Sequence, residues 1–96
     1  MGNIVLVRSA MAGVFYGKLI SRKRDTVVLA HSRRLWYWEG AASLSELANS
    51  GTSKPSKCRF PAPIIGLHTV LGVCEIIEMT SAAIESLDEV PVWTAR

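Results

Sequence analysis

Apolar and polar positions divide the chain into short segments. "NIVLVRS" (Asn3–Ser9) reads as a short apolar strand, and Ala10 to Gly13 as a connection. "VFYGKLISRK" alternates as a second strand, with Gly17 marking a bulge or a close approach. Lys23 to Asp25 make a tight polar turn. "TVVLAHSRRLWYW" (Thr26–Trp38), rich in branched and aromatic residues, reads as a third strand. The succession predicts an antiparallel meander curled like a small barrel.

A break follows at Glu39–Gly40, and "SLSELANSG" then carries the punctuation of a short helix. Ser43 is the N-cap, Glu46 closes a capping box, Leu44 and Leu47 form the apolar side and Gly51 ends it. "TSKPSKCRFPAP" is a loop fixed by three prolines. Leu67–Met79 predicts a further strand interrupted by Gly72. "SAAIESLDEV" predicts a second short helix opened by Thr80 or Ser81, and "PVWTAR" closes as an extended tail. The expected class is α+β, mostly β: a small curled antiparallel sheet of about four to five strands with two short helices.

Length and composition narrow this picture. The 96 residues predict a single domain over 1–96. A domain of this size buries only ~60% of the surface its unfolded chain exposes. Yet 49% of its residues are hydrophobic, an apolar surplus that predicts a homo-oligomer. Net charge is +3 but unevenly spread: residues 1–35 carry seven Lys or Arg against Asp25 alone, whereas residues 67–96 carry five acids against Arg96. A basic front and an acidic back suit an anion-binding face, halves that attract each other, or simply solvated faces. Cys58 and Cys74 lack the spacing of a disulfide framework or a zinc site, and His31 and His68 are far from both in sequence. No basic n-region precedes the first apolar residues, Leu6 stands where a myristoylation signal wants Ser or Thr, and no run approaches a membrane span. The expectation is a cytoplasmic protein with reduced thiols and no membrane partner.

The chemistry concentrates in "RRLWYWEGAASLSELANSGTSKP" (Arg33–Pro55). In a regular strand Arg34, Trp36 and Trp38 share one face, with the tryptophans ~7 Å apart, and Arg33, Leu35 and Tyr37 share the other. Such a pair serves a core or an oligomer interface, or a wall for a nucleobase. Arg33 and Arg34 supply forks for phosphate, and the helix start at Ser43 is close by. The next loop adds Thr52, Ser53, Lys54, Lys57 and Arg59, and Gly51–Ser53 has the makings of a small nest of backbone donors, although no Walker motif is present. These are the ingredients for an anionic, aromatic-bearing ligand. Catalytic signals are weak: Glu75 and Glu78 fall on opposite faces of a strand, and the chain has no GxSxG motif. No enzyme activity, cofactor or metal is expected.

The Arg33–Ile64 stretch, the preceding "GVFYGKLISRKRDTVVLAHS" and the closing "EVPVW" resemble a family of uncharacterised proteins of about this length from phages and prophages. The resemblance covers nearly the whole chain and carries no assigned activity, so no site residue transfers from it. It implies a small accessory protein made in the cytoplasm of an infected bacterium. The combined expectation is a non-enzymatic, oligomeric binder of a nucleotide-like anion, acting as a sponge for host immune signals. Arg33, Arg34, Lys54 and Arg59 would hold phosphate, Trp36, Tyr37 or Trp38 would stack, and Ser43, Thr52 and Ser53 would donate hydrogen bonds. The alternative is an inhibitor that presents Trp, Tyr and Arg to a host protein. Third is a binder of long nucleic acid, disfavoured by the modest charge.

Overall fold

The computed structural model describes residues 3–94. Strands β1 (Ile4–Ser9), β2 (Gly13–Lys23), β3 (Thr26–Arg34), β4 (His68–Val70) and β5 (Val73–Glu78) form one antiparallel sheet in the order β4-β3-β2-β1-β5. Helices α1 (Leu44–Ser50) and α2 (Ser81–Asp88) complete it, with one 3-10 turn at Pro55–Lys57. The mostly-β α+β class, the curl and both helices agree with the sequence pattern. Of the expected tail, Val92 forms a parallel bridge with Phe60. Ala95 and Arg96 lie outside the described residues, as does Gly2.

The apolar run of β1 is continuous because both its faces are covered. Leu6 points to one core with Tyr16, Leu35, Leu47, Phe60 and Leu87. Val5 and Val7 point to the other, with Phe15, Val27, Leu29 and Val70. Phe15 and Phe60 are fully buried, each contributing ~1.5–3 kcal/mol of hydrophobic transfer.

Two expectations need correction. Leu67–Met79 is not one interrupted strand: β4 pairs with β3 on one edge, and β5 with β1 on the other. Only Leu71 and Gly72 separate them, the latter at φ 68°. Three Cα steps span at most ~11 Å, so the sheet must curl until its edges approach. The Val73 N–H accordingly donates to the Asp25 carbonyl in the β2–β3 turn, at 2.8 Å. The second correction is that β3 ends at Arg34 and not at Trp38. The Leu35 N–H still reaches Val14, after which the chain leaves the sheet.

Gly17 is the close approach its sequence position suggests. A Cβ there would lie 2.8 Å from the Ser32 Cα. Opposite it β3 carries an extra residue, since Tyr16 pairs with Arg33 but Lys18 with Ala30, and His31 takes a left-handed φ of 54°. Beyond this bulge Arg33 lies across from Tyr16 and Arg34 across from Phe15. The two neighbouring arginines therefore enter different cores.

Candidate ligand-binding cleft

Past the end of β3, Tyr37 pairs with Arg59 through two backbone hydrogen bonds of 3.3 and 2.7 Å. One residue on, the carbonyl of buried Phe60 accepts the Trp93 N–H at 3.0 Å. Three segments far apart in sequence are thus laced together, with Phe60 rooted in the core. Outside, Trp36 and Trp93 stack at 5.0 Å between centroids, 6° from parallel. The exposed Arg59 guanidinium lies 5.8 Å from the Trp36 ring, 5.7 Å from Tyr37 and 5.8 Å from Trp93. Such contacts are worth ~0.5–1 kcal/mol each at exposed positions. They orient the guanidinium but leave its charge unneutralised: the one ion pair among the described residues is Arg8–Glu75, at 3.1 Å.

Beside this cluster opens a half-open cleft of about 560 Å³, lined by Tyr37, Glu39, Ser56, Lys57, Cys58, Arg59 and Trp93. Its size is in the range of small-molecule sites. The Tyr37 hydroxyl donates to Glu39 Oε2 at 2.7 Å. That carboxylate holds the phenolic proton and pushes the Tyr37 pKa above its ordinary value. Cys58 is nearly buried, its Sγ within 3.6–3.7 Å of the Glu39 and Lys54 carbonyls and Thr52 Oγ1.

The expected site residues separate into groups. Trp36, Tyr37 and Arg59 come together at the cluster. Trp38 does not join Trp36 on one face but packs against the helix-side core. Arg33 is 4% exposed. Its Nε donates to the Pro61 carbonyl at 3.0 Å, Nη1 to Leu87 at 3.1 Å, and Nη2 to Phe60 at 3.3 Å and Val90 at 2.8 Å. The phosphate role expected of Arg33 is corrected accordingly: it is an internal staple that also places a cation on the last turn of α2. Next to it the Tyr16 hydroxyl donates to Asp88 at 2.8 Å, and burial, then that hydrogen bond, pushes the phenol up. Arg34 is half-buried over Phe15, 4.4 Å from the ring centroid, with Nη1 on the Ala12 carbonyl at 2.8 Å. It shares no face with Arg33.

Ser43 is the N-cap of α1, its Oγ accepting from the Glu46 N–H at 3.2 Å. The Thr52 hydroxyl donates to the Glu39 carbonyl and accepts from the Lys54 N–H. The Ser53 hydroxyl donates to the Gly40 carbonyl at 3.3 Å. The expected donor nest is not formed: the N–H groups of Gly51, Thr52 and Ser53 go to Leu47, Ser86 and Gly40. These residues clasp the loop to Gly40, where a Cβ would meet Thr52 Oγ1 and the Lys54 and Ser53 nitrogens. The Lys54 side chain is exposed but does not line the cleft, whereas Lys57 does.

Sequence reasoning missed Trp93 and Glu39. The signal for Trp93 was its type: it is one of three tryptophans, and it sits in the short closing tail. One serine–histidine pair does form, Ser32 Oγ to His68 Nδ1 at 2.9 Å. Ser32 is fully buried, so the pair fastens β4 to β3 and offers no nucleophile to a substrate.

Fold and site together define a small curled-sheet protein carrying an exposed arginine–aromatic cluster beside a cleft. The chain belongs to the family of the domain of unknown function DUF6948, whose model matches residues 2–87. Comparison with curated proteins and with solved structures gives no match. Among the described residues no helix is long and apolar enough to cross a membrane, and no group of metal-ligating side chains converges.

Proposed function

We propose that this chain is a non-enzymatic binder of a nucleotide-like anionic small molecule. Its base would rest against Tyr37 and Trp93, with its phosphate on Arg59 and Lys57. The observation that carries this reading is Arg59: an exposed guanidinium held near three aromatic rings, paired with no carboxylate among the described residues, at the rim of a ligand-sized cleft. Aromatic faces take bases and arginine forks take phosphates. With the resemblance to phage proteins, the reading extends to an oligomeric sponge for host immune signals in the bacterial cytoplasm. Capture without turnover would return the ligand intact.

A second reading, inhibition of a host protein, draws on the exposure of Trp36 (55%), Tyr37 (42%) and Val92 (53%). Tryptophan and tyrosine anchor protein interfaces. Long nucleic acid stays third, because two cations in one cleft neutralise few phosphates.

The test is titration of the purified protein with ribonucleoside 5′-monophosphates, read by tryptophan fluorescence, since Trp36 and Trp93 adjoin the site. Binding should weaken at least ~10-fold in Arg59→Ala, the worth of a charge-assisted contact, with unchanged circular dichroism. No binding of any nucleotide, together with a host polypeptide retained through Trp36, would favour the second reading.

A further inference from the structure

We infer that Glu39 reads the base and that the cleft selects guanine; this rests on the nucleotide reading above. The starting point is a conflict of charge. Glu39 lines the same cleft as Lys57 and Arg59, yet it forms no ion pair with either. A carboxylate in a phosphate site repels the ligand unless another part of that ligand supplies hydrogen-bond donors. Glu39 is set up to accept them. Its Oε2 is fixed by the Tyr37 hydroxyl at 2.7 Å, while Oε1 accepts no hydrogen bond among the described residues. An ionised carboxylate has about four acceptor positions on two oxygens, so one tyrosine leaves most of them open.

Tyr37 also sets the spacing. Its ring is 5.7 Å from the Arg59 guanidinium, and its hydroxyl is on Glu39. Cation and carboxylate therefore border one aromatic surface. A base lying on that surface with its phosphate toward Arg59 would turn an edge to Glu39. Guanine presents two adjacent donors there, N1–H and the N2 amine, which match the two oxygens of a carboxylate. Adenine and cytosine each set one amine beside a ring-nitrogen acceptor, whose lone pair opposes the carboxylate. Uracil offers one N–H between two carbonyls.

The experiment titrates the full chain and Glu39→Gln with guanosine, inosine and adenosine 5′-monophosphates. Guanosine monophosphate should bind ~10-fold or more tighter than adenosine monophosphate, the worth of one bidentate base contact. Inosine monophosphate, which keeps N1–H and lacks the amine, should fall between. Glu39→Gln should bring guanosine monophosphate close to adenosine monophosphate without weakening the latter. Tyr37→Phe, which frees the carboxylate to rotate but keeps its charge, should reduce the preference in the same direction. Equal binding of all three, unchanged in Glu39→Gln, overturns guanine selection and leaves the nucleotide reading standing. Failure of these three and of the cytidine and uridine 5′-monophosphates to bind overturns both.

Discussion

Arg33 and Arg59 differ in surroundings as much as two arginines of one small protein can. Arg33 is closed in between the sheet and the end of α2, and four carbonyls take its donors. Arg59 is exposed and bordered by three rings that accept no conventional hydrogen bond from it. The difference separates a cation used for folding from one left available. Carbonyl dipoles pin a buried guanidinium because its desolvation must be offset. Aromatic faces orient an exposed one cheaply and leave its fork open to a phosphate.

The largest effect should come from breaking the interior side of this contrast. Arg33→Met leaves the carbonyls of Pro61 and Val90 without a donor, while those of Phe60 and Leu87 keep the Trp93 and Val90 N–H groups, and each unsatisfied buried group costs ~1–3 kcal/mol. A loss of about 4 kcal/mol is expected, a fall in Tm of ~15 °C or more at this chain length. Arg59→Met should stay within ~1 kcal/mol. Thermal unfolding of the two variants side by side measures the contrast, and equal Tm values would abolish it.

Local chemistry in the sequence was legible where the structure obeys it locally. Ser43 caps α1 and Gly51, at φ 76°, ends it as predicted; only the Glu46 carboxylate differs, accepting from Ala42 rather than Ser43. The polar turn, the Gly17 approach and the second helix were equally readable. What was hidden depends on partners distant in sequence. "LWYW" has the residue types of a strand, but Tyr37 finds its partner in Arg59 and Trp36 finds its own in Trp93. Nothing within Leu67–Met79 says that its halves occupy opposite edges. Alternation did separate Arg33 from Arg34, but the cover over each face comes from α2 and from β4, out of reach of any local window.

An intermediate effect should separate the two tryptophans once expected on one face. Trp36 is 55% exposed and loses mainly its stack on Trp93 when truncated. Trp36→Ala should cost ~1 kcal/mol. Trp38 packs against the core of Leu6, Leu35 and Phe60, and Trp38→Ala should cost about 3 kcal/mol. Urea unfolding measures both. Nucleotide binding should fall in Trp36→Ala, where Trp93 loses its support, at a stability cost too small to explain it. Equal costs would mean that Trp36 is as structural as Trp38, and the cluster would lose its standing as a separate surface.

The smallest effect concerns Arg34, intermediate between the two arginines compared above. It lies over Phe15 at 4.4 Å, and His68 meets the same ring edge-on at 4.7 Å with its Nδ1 on Ser32. Burial first, and then the Arg34 charge, holds the His68 pKa below its ordinary value. The unfolded chain therefore takes up this proton first as pH falls through about 6.5. In that window the unfolded state binds more protons, so stability declines with falling pH and levels off below the folded pKa. The slope cannot exceed that of one proton. Urea midpoints between pH 7.5 and 5.5 should show this decline, and His68→Asn should flatten it. Arg34→Met removes the secondary cause alone, so it should narrow the window without erasing it. If Arg34→Met leaves the profile unchanged, burial accounts for the shift by itself, and Arg34 belongs with Arg33 as a purely structural cation.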